Sequence, residues 1–236
     1  MTAPGAVREG PLSSGDIDAF HRAGFLAPEF RIQHRHLEAM RASADALIAR
    51  NPELPPERLV NPHLAGWTNL PNPYRACALD PTLLDLVEQL LGPDIIFWGS
   101  LLLCDPTPAG LSALGRQHRD YWPIRPLKTL SVSIALDGTG ETRHSGDPVS
   151  DPGRITLHDA RVDGDDRGES LPLLGQRRPA IVFRYMPTTS VFERDATLLR
   201  GRVTYPIWDT PIFLARGVDR AGRNNFQHGH SADFSA

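Results

Sequence analysis

The chain has 236 residues, 25 Lys and Arg against 28 Asp and Glu, a formal net charge of -3 and 40% apolar residues. That length suits one domain with a sizeable core, and the near-balanced charge, with no Lys/Arg run, gives nucleic acid or an anionic membrane no electrostatic hold. The expected partner is a small molecule. The two cysteines, Cys77 and Cys104, have no paired spacing, so neither a disulfide framework nor a thiolate metal site is implied, and a reducing cytoplasm fits. No stretch has the apolar length of a signal peptide or a membrane span. A cytoplasmic, soluble protein is expected.

Residues 1–13 are rich in Gly, Pro, Ser and Ala and are expected to be mobile, with 14–236 forming the single domain. In "SSGDIDAFHRAGF" a Ser or Asp cap precedes Ile17, Phe20 and Ala23 at helical spacing, and Gly24 supplies a stop. "HLEAMRASADALIAR" (36–50) repeats apolar residues at i, i+3 and i+4, the pattern of an amphipathic helix. The preceding "HRH" (34–36) begins that helix with no acidic partner in view and reads as a solvated face. "DPTLLDLVEQLLG" (80–92) has an Asp cap, a Pro in the first turn and a closing Gly.

After Pro93 the texture changes to strands. "DIIFWGSLLLC", "KTLSVSIALD", "GRITLHDARV", "RPAIVFRYMP" and "DTPIFLARGV" are β-rich runs separated by Gly, Pro and Asp. Helices followed by many short strands predict an α+β fold, with N-terminal helices packed on a barrel or sandwich. The nucleophile elbow, the P-loop, the dinucleotide fingerprint and the H-E-x-x-H zinc motif do not occur in the sequence.

The ordered segments "DAFHRAGF", "LLGPDIIFWGS", "YWPIRPLKTLSVSIALD", "ITLHDARV", "RRPAIVFRYMP" and "ARGVDRAGRNNF" together resemble the phytanoyl-CoA dioxygenase-like branch of the non-haem iron, 2-oxoglutarate oxygenases. The resemblance implies a double-stranded β-helix, or jelly roll, buttressed by helices. It also implies a His-x-Asp on one strand and a distant His that hold Fe(II), with open positions for 2-oxoglutarate and oxygen. Residues i and i+2 of a strand share a face, which accounts for the His-x-Asp spacing.

The expected ligand positions depart from that pattern. The family commonly has His-Gln-Asp-x-x-Tyr-Trp-Pro, whereas here Asp120 directly precedes Tyr121 and Trp122. Aligned without gaps on Cys104, Pro106, Gln117 and "YWP", the family's His falls on Arg116 and its Asp on His118. A guanidinium does not ligate a metal. In "RVDGDDRGES" Asp163 stands where the resemblance places the distal His. A rival alignment, gapped on both sides, keeps His118 and Asp120 as ligands and gives a one-histidine, two-carboxylate set with Asp163. The connection 137–153 lacks the family's Pro-Gly-Ser-His segment, so a reshaped pocket mouth is expected. Arg178 matches the arginine that pairs with the distal carboxylate of 2-oxoglutarate.

His118 and Asp120 therefore read as iron ligands, as members of a metal-free polar pocket, or as structural polar residues. The favoured reading is an enzyme of natural-product type that needs no cofactor and runs a redox-neutral step such as cyclisation or isomerisation. Its catalytic candidates are Arg116, His118, Asp120 and Asp163, and its substrate-binding candidates are Arg178, Tyr121, Trp122 and Trp98, with Trp208 as a further pocket aromatic. The alternatives are a divergent oxygenase with Fe(II) and 2-oxoglutarate, which hydroxylates or desaturates a small molecule, and a non-catalytic binding protein. His158 is expected to make a structural hydrogen bond, and the His-x-His of "FQHGHSADF" to lie in a mobile tail.

Overall fold

The computed structural model describes residues 11–50, 59–64, 72–103, 123–136, 152–159, 179–194 and 210–226. Its first helix, α1 (Ser14–Ala23), is fixed at both ends by the residues the sequence marks. Ser13 Oγ accepts from the Asp16 N–H at 3.1 Å while Asp16 Oδ2 accepts from the Ser13 N–H at 3.0 Å, a reciprocal capping box. Gly24 ends the helix at φ +67°, the left-handed conformation that glycine adopts without steric cost. Leu12, inside the segment expected to be mobile, is buried, and its N–H and C=O both bond the Gln89 side chain at 2.8 and 2.9 Å.

The second helix, α2 (His34–Arg50), buries Leu37, Met40 and Ala44 along one stripe. The third, α3 (Pro73–Ala78), was not foreseen. It has Pro at its first position and Asn72 as cap, the Asn72 Oδ1 accepting from the N–H groups of Tyr74 and Arg75 at 3.0 Å each. The fourth, α4 (Pro81–Leu91), follows its Asp80 cap and stops at Gly92. No described helix is long and apolar enough to cross a membrane.

The described residues contain nine strands, numbered in chain order: β1 (Phe25–Leu26), β2 (Leu59–Val60), β3 (Ile95–Leu103), β4 (Ile124–Arg125), β5 (Leu130–Ala135), β6 (Ile155–Asp159), β7 (Ala180–Pro187), β8 (Val191–Phe192) and β9 (Phe213–Arg216). Seven of them make one antiparallel sheet in the order β1-β6-β5-β7-β3-β2, with β9 also on β3, and β4 pairs β8 in a second, two-stranded sheet. The architecture is the expected α+β arrangement, a jelly roll with helices against its larger sheet.

Side-chain alternation divides that sheet into two faces. Phe97, Leu102, Leu130, Val132, Phe183 and Tyr185 join the buried residues of all four helices in the main core. The Tyr185 hydroxyl donates to the Ala78 C=O at 2.8 Å, tying the sheet to the end of α3. All nine residues of β3 are buried, so its opposite face is covered as well. Part of that cover is a second cluster in which Ile96, Trp98 and Met186 of the large sheet meet Ile124 and Phe192 of the small one.

Candidate functional site

Most of the residues singled out from the sequence, Arg116, His118, Asp120, Tyr121, Trp122, Asp163, Arg178 and Trp208, lie outside the described residues, as do Cys104 and the His-x-His of the C-terminal segment. The structure does describe the face of the large sheet turned away from the helices. Strand register builds it row by row. Gly99 pairs Arg184, Arg184 pairs Ser131, Ser131 pairs His158 and His158 pairs Phe25, which makes one row across β3, β7, β5, β6 and β1. The next row is Leu101, Val182, Ser133 and Thr156.

A bulge shapes the middle of β3. Phe97 pairs Tyr185 and Gly99 pairs Arg184, so Trp98 is the extra residue, the kind of irregularity that re-aims a side chain. The indole of Trp98 joins the inter-sheet cluster, 7% exposed, and its Nε1–H donates to Thr129 Oγ1 at 3.3 Å. Thr129 in turn donates to the Tyr185 C=O at 2.7 Å. The Arg184 guanidinium carbon lies 5.4 Å from the centroid of the Trp98 ring, and the Phe192 and Trp98 ring centroids lie 6.0 Å apart. The Arg194 guanidinium carbon then lies 5.2 Å from the Phe192 ring. The result is a guanidinium, indole, phenyl, guanidinium series that spans the two sheets.

His158 makes the structural bond expected of it, its Nε2 lying 3.1 Å from Thr156 Oγ1 on the same strand face, and its ring packs 5.1 Å from Phe25. The "HRH" segment is a correction. His34 is exposed, but His36 is only 14% exposed and its Nε2 lies 2.9 Å from Asp80 Oδ2. The acidic partner was hidden because Asp80 is 44 residues away in sequence and arrives there as the cap of α4. Burial pushes the Asp80 carboxyl upward, but the His36 and Thr82 hydrogen bonds outweigh it and hold the group below its ordinary value.

On the helix side of β3, His63 is fully buried, its Nδ1 2.6 Å from Ser100 Oγ and its ring 4.7 Å from that of Phe97. Burial, with a smaller contribution from the Arg75 charge, lowers its pKa to about 3. Cys77 is a free thiol pushed up by burial and is not poised for reaction.

Among the described residues no group of three or more His, Cys, Asp or Glu side chains could hold a metal ion. The described rows of the inner face carry one imidazole, a guanidinium and hydroxyls. Arg184 and Ser131 were not singled out from the sequence, although a signal was present. "LSVSIA" alternates apolar and hydroxyl residues, and Arg184 interrupts an otherwise apolar strand between two aromatics, which is the signature of a polar inner face.

No protein-family model matches the sequence, and no curated protein matches it. Solved structures do match in fold. EctD from S. alaskensis with 2-oxoglutarate and 5-hydroxyectoine superposes with a TM-score of 0.59 at 16% identity, over 98% of this chain and 91% of that one. CytC3 with Fe(II) and alpha-ketoglutarate gives 0.55 at 16%, over 90% and 92%. The epimerase SnoN in complex with Fe3+, alpha ketoglutarate and nogalamycin RO gives 0.51 at 16%, over 81% and 91%. At this identity the likeness is one of fold. It is the jelly roll that the resemblance to phytanoyl-CoA dioxygenase-like proteins implied.

Proposed function

We propose that this chain is a small-molecule enzyme, of natural-product type, that uses the jelly-roll interior for a metal-independent, redox-neutral step such as a cyclisation or isomerisation. The observation that carries the reading is the change of donor type at the positions where this fold family places its iron ligands. Arg116 falls where a histidine is expected and Asp163 replaces the distal histidine. The cationic, hydroxyl-bearing inner face supports it, because such donors stabilise a carbonyl or enolate oxygen. In this reading Arg116 and Arg178 polarise that oxygen. His118, assisted by Asp120 or Asp163, takes a proton from one carbon and returns it at another, so that atoms and electrons balance. Trp98, Tyr121 and Trp122 hold a flexible substrate in its reactive conformation.

A second reading is a divergent oxygenase in which His118, Asp120 and Asp163 hold Fe(II) and Arg178 holds 2-oxoglutarate. It is favoured by the iron and 2-oxoglutarate present in structures of the same fold. Metal analysis of protein purified without chelator separates the two, together with an assay for succinate from 2-oxoglutarate under air. The first reading expects substoichiometric iron and no succinate; stoichiometric iron with succinate release overturns it. If Arg116→Ala, His118→Ala and Arg178→Ala each leave turnover unchanged once a substrate is found, the assignment of roles fails.

A further inference from the structure

We propose that residues 12–26, which comprise Leu12, α1 and β1, form a latch-held flap at the edge of the large sheet. The flap swings out as one unit and uncovers the His158 end of the inner face. This opening is a property of the fold and does not depend on the reaction that the interior supports. Each attachment of the unit is small. α1 buries one residue, Phe20, where α2 buries three and α4 six. β1 is two residues long and lies at the end of the strand order, so among the described residues it pairs on one side alone. Its ladder joins Phe25 to His158 and Leu26 to Leu157, and is extended by the Asp159 N–H donating to the Gly24 C=O at 2.8 Å. Segments held by few buried side chains and short ladders are those that open locally while the rest of a fold stays intact.

The latch is Leu12. Its N–H and C=O both bond the side-chain amide of Gln89 on α4, at 2.8 and 2.9 Å. Leu12 precedes the Ser13 cap and Ile17 follows it by four residues, the two positions that a hydrophobic staple uses, and both pack into the main core. The latch and α1 therefore move together. The other end of the unit is fixed just beyond β1. There the Ile32 N–H donates to the Gly153 C=O at 3.0 Å, Arg31 Nη1 donates to the Pro152 C=O at 3.0 Å, and Glu29 pairs with Arg154 at 3.1 Å. Ala27 and Pro28 lie between β1 and these anchors and belong to no helix or strand, which is where a hinge absorbs its rotation.

What the flap covers follows from register. Phe25 and His158 are paired across β1 and β6 and so share a face, the inner one, with their ring centroids 5.1 Å apart. Leu26 and Leu157 share the opposite face and meet the helix-side core. Phe25, His158 and Ser131 are each half-buried, whereas Ser133 and Thr156 of the next row are fully buried. The row that ends under the flap is thus the one nearer to solvent. When β1 leaves, the Phe25 ring comes off the His158 imidazole and the backbone edge of β6 opens to water.

The test is native-state hydrogen exchange on the full chain, with and without low urea. The amides of Ile17, Phe20, Gly24 and Asp159 should exchange as one group. They should exchange faster than those of β3 and β7 and respond less to urea, because their opening exposes little surface. Gln89→Ala removes two neutral hydrogen bonds, so the group should speed up by roughly tenfold or more, while β3 and β7 keep their rates. Diethyl pyrocarbonate, which acylates accessible imidazoles, should label His158 faster by a similar factor in that variant, read by mass spectrometry of the peptide. Exchange of the group at the rate and urea dependence of β3 and β7 in the wild type overturns the proposal, whether or not Gln89→Ala folds. In the folded variant, unchanged rates overturn it, and so does acceleration of β3 and β7 along with the group. Faster exchange in α1 with Asp159 unchanged overturns it by showing that α1 frays apart from β1. Unchanged labelling of His158 overturns it by showing that Phe25 is not what covers the imidazole.

Discussion

His63 Nδ1 and Ser100 Oγ lie 2.6 Å apart in a fully buried setting, and the pair locks the 3-10 turn Pro62–Leu64 onto β3 two residues past the Trp98 bulge. Asn61 completes the clamp, its N–H donating to the Ser100 C=O at 2.8 Å and its Oδ1 accepting from the Ser100 N–H at 3.1 Å. The strand that carries Trp98 on its inner face is thus held from its outer face by an imidazole and an amide.

That imidazole makes folding sensitive to pH. The His63 pKa is about 3 in the folded chain against 6.5 when free, so below pH 6.5 the unfolded chain binds a proton that the folded chain refuses. The stability His63 contributes is fully present above pH 6.5 and falls as pH drops toward 3, by about 1.4 kcal/mol per unit in the middle of that window. Urea unfolding at pH 7.5 and 5.0 should show a loss of about 2 kcal/mol from this residue. His63→Gln should start lower and lose about that much less between the two pH values. Equal losses in wild type and variant would refute the assignment.

Asp80 serves two elements at once. Its Oδ1 accepts from the Thr82 N–H at 2.9 Å, capping α4, and its Oδ2 meets His36 Nε2 at 2.9 Å and Arg35 Nη2 at 3.5 Å, tying α2 to α4. Asp80→Ala loses both and should cost about 2–3 kcal/mol, the sum of a cap and one charge-assisted bond. Asp80→Asn keeps an oxygen for the cap and should cost about half as much. Thermal unfolding of both variants at pH 7 gives the comparison: equal costs would mean the cap contributes nothing, and a neutral Asp80→Asn would mean the His36 contact contributes nothing.

Gly217 answers to a different constraint. Its φ is +76°, and a Cβ there would collide with the Asp94 carboxylate and lie 2.8 Å from the Pro93 carbonyl oxygen. The same carboxylate accepts from the Val218 N–H at 2.8 Å and from Arg220 Nε at 2.6 Å, so it has little room to retreat. Gly217→Ala should therefore destabilise the fold by about 1–3 kcal/mol or more, read as a lower midpoint in urea. A neutral result would show that the loop yields.

What the sequence disclosed follows from the range of each interaction. Ser13, Asp80, Gly24 and Gly92 act on backbone groups within a few residues, so both helices they bound were legible. The five long strands announced themselves by composition, and the fold followed from their order. The two-residue strands β1 and β2 exist because a longer partner offers each a ladder, β4 and β8 pair each other, and nothing local marks any of the four. His36 looked solvated because its partner comes from another helix. The inner-face row was half legible: the alternation of Ser131 and Ser133 gives the face, but only the bulge at Trp98 brings the indole to Arg184.

The second sheet depends on Asn224, a buried amide in the C-terminal segment. Its Oδ1 accepts from the Phe192 N–H at 3.0 Å, while its Nδ2 donates to the Ser190 C=O at 2.9 Å and to Asp219 Oδ1 at 2.8 Å. Phe192 is the ring that packs on Trp98, so this amide stands three contacts from Arg184. Asn224→Ala would leave a buried N–H and a buried C=O without partners and should cost about 2–4 kcal/mol. Asn224→Asp keeps the acceptor for Phe192 but sets a carboxylate against the Ser190 carbonyl and the Asp219 carboxylate, so at pH 7 it should be the more damaging of the two. Lowering the pH to 5 should recover part of the Asn224→Asp loss, because a protonated carboxyl can donate where the amide did. Equal unfolding midpoints for the two variants at both pH values would show that the donor half of this amide is not what holds the second sheet.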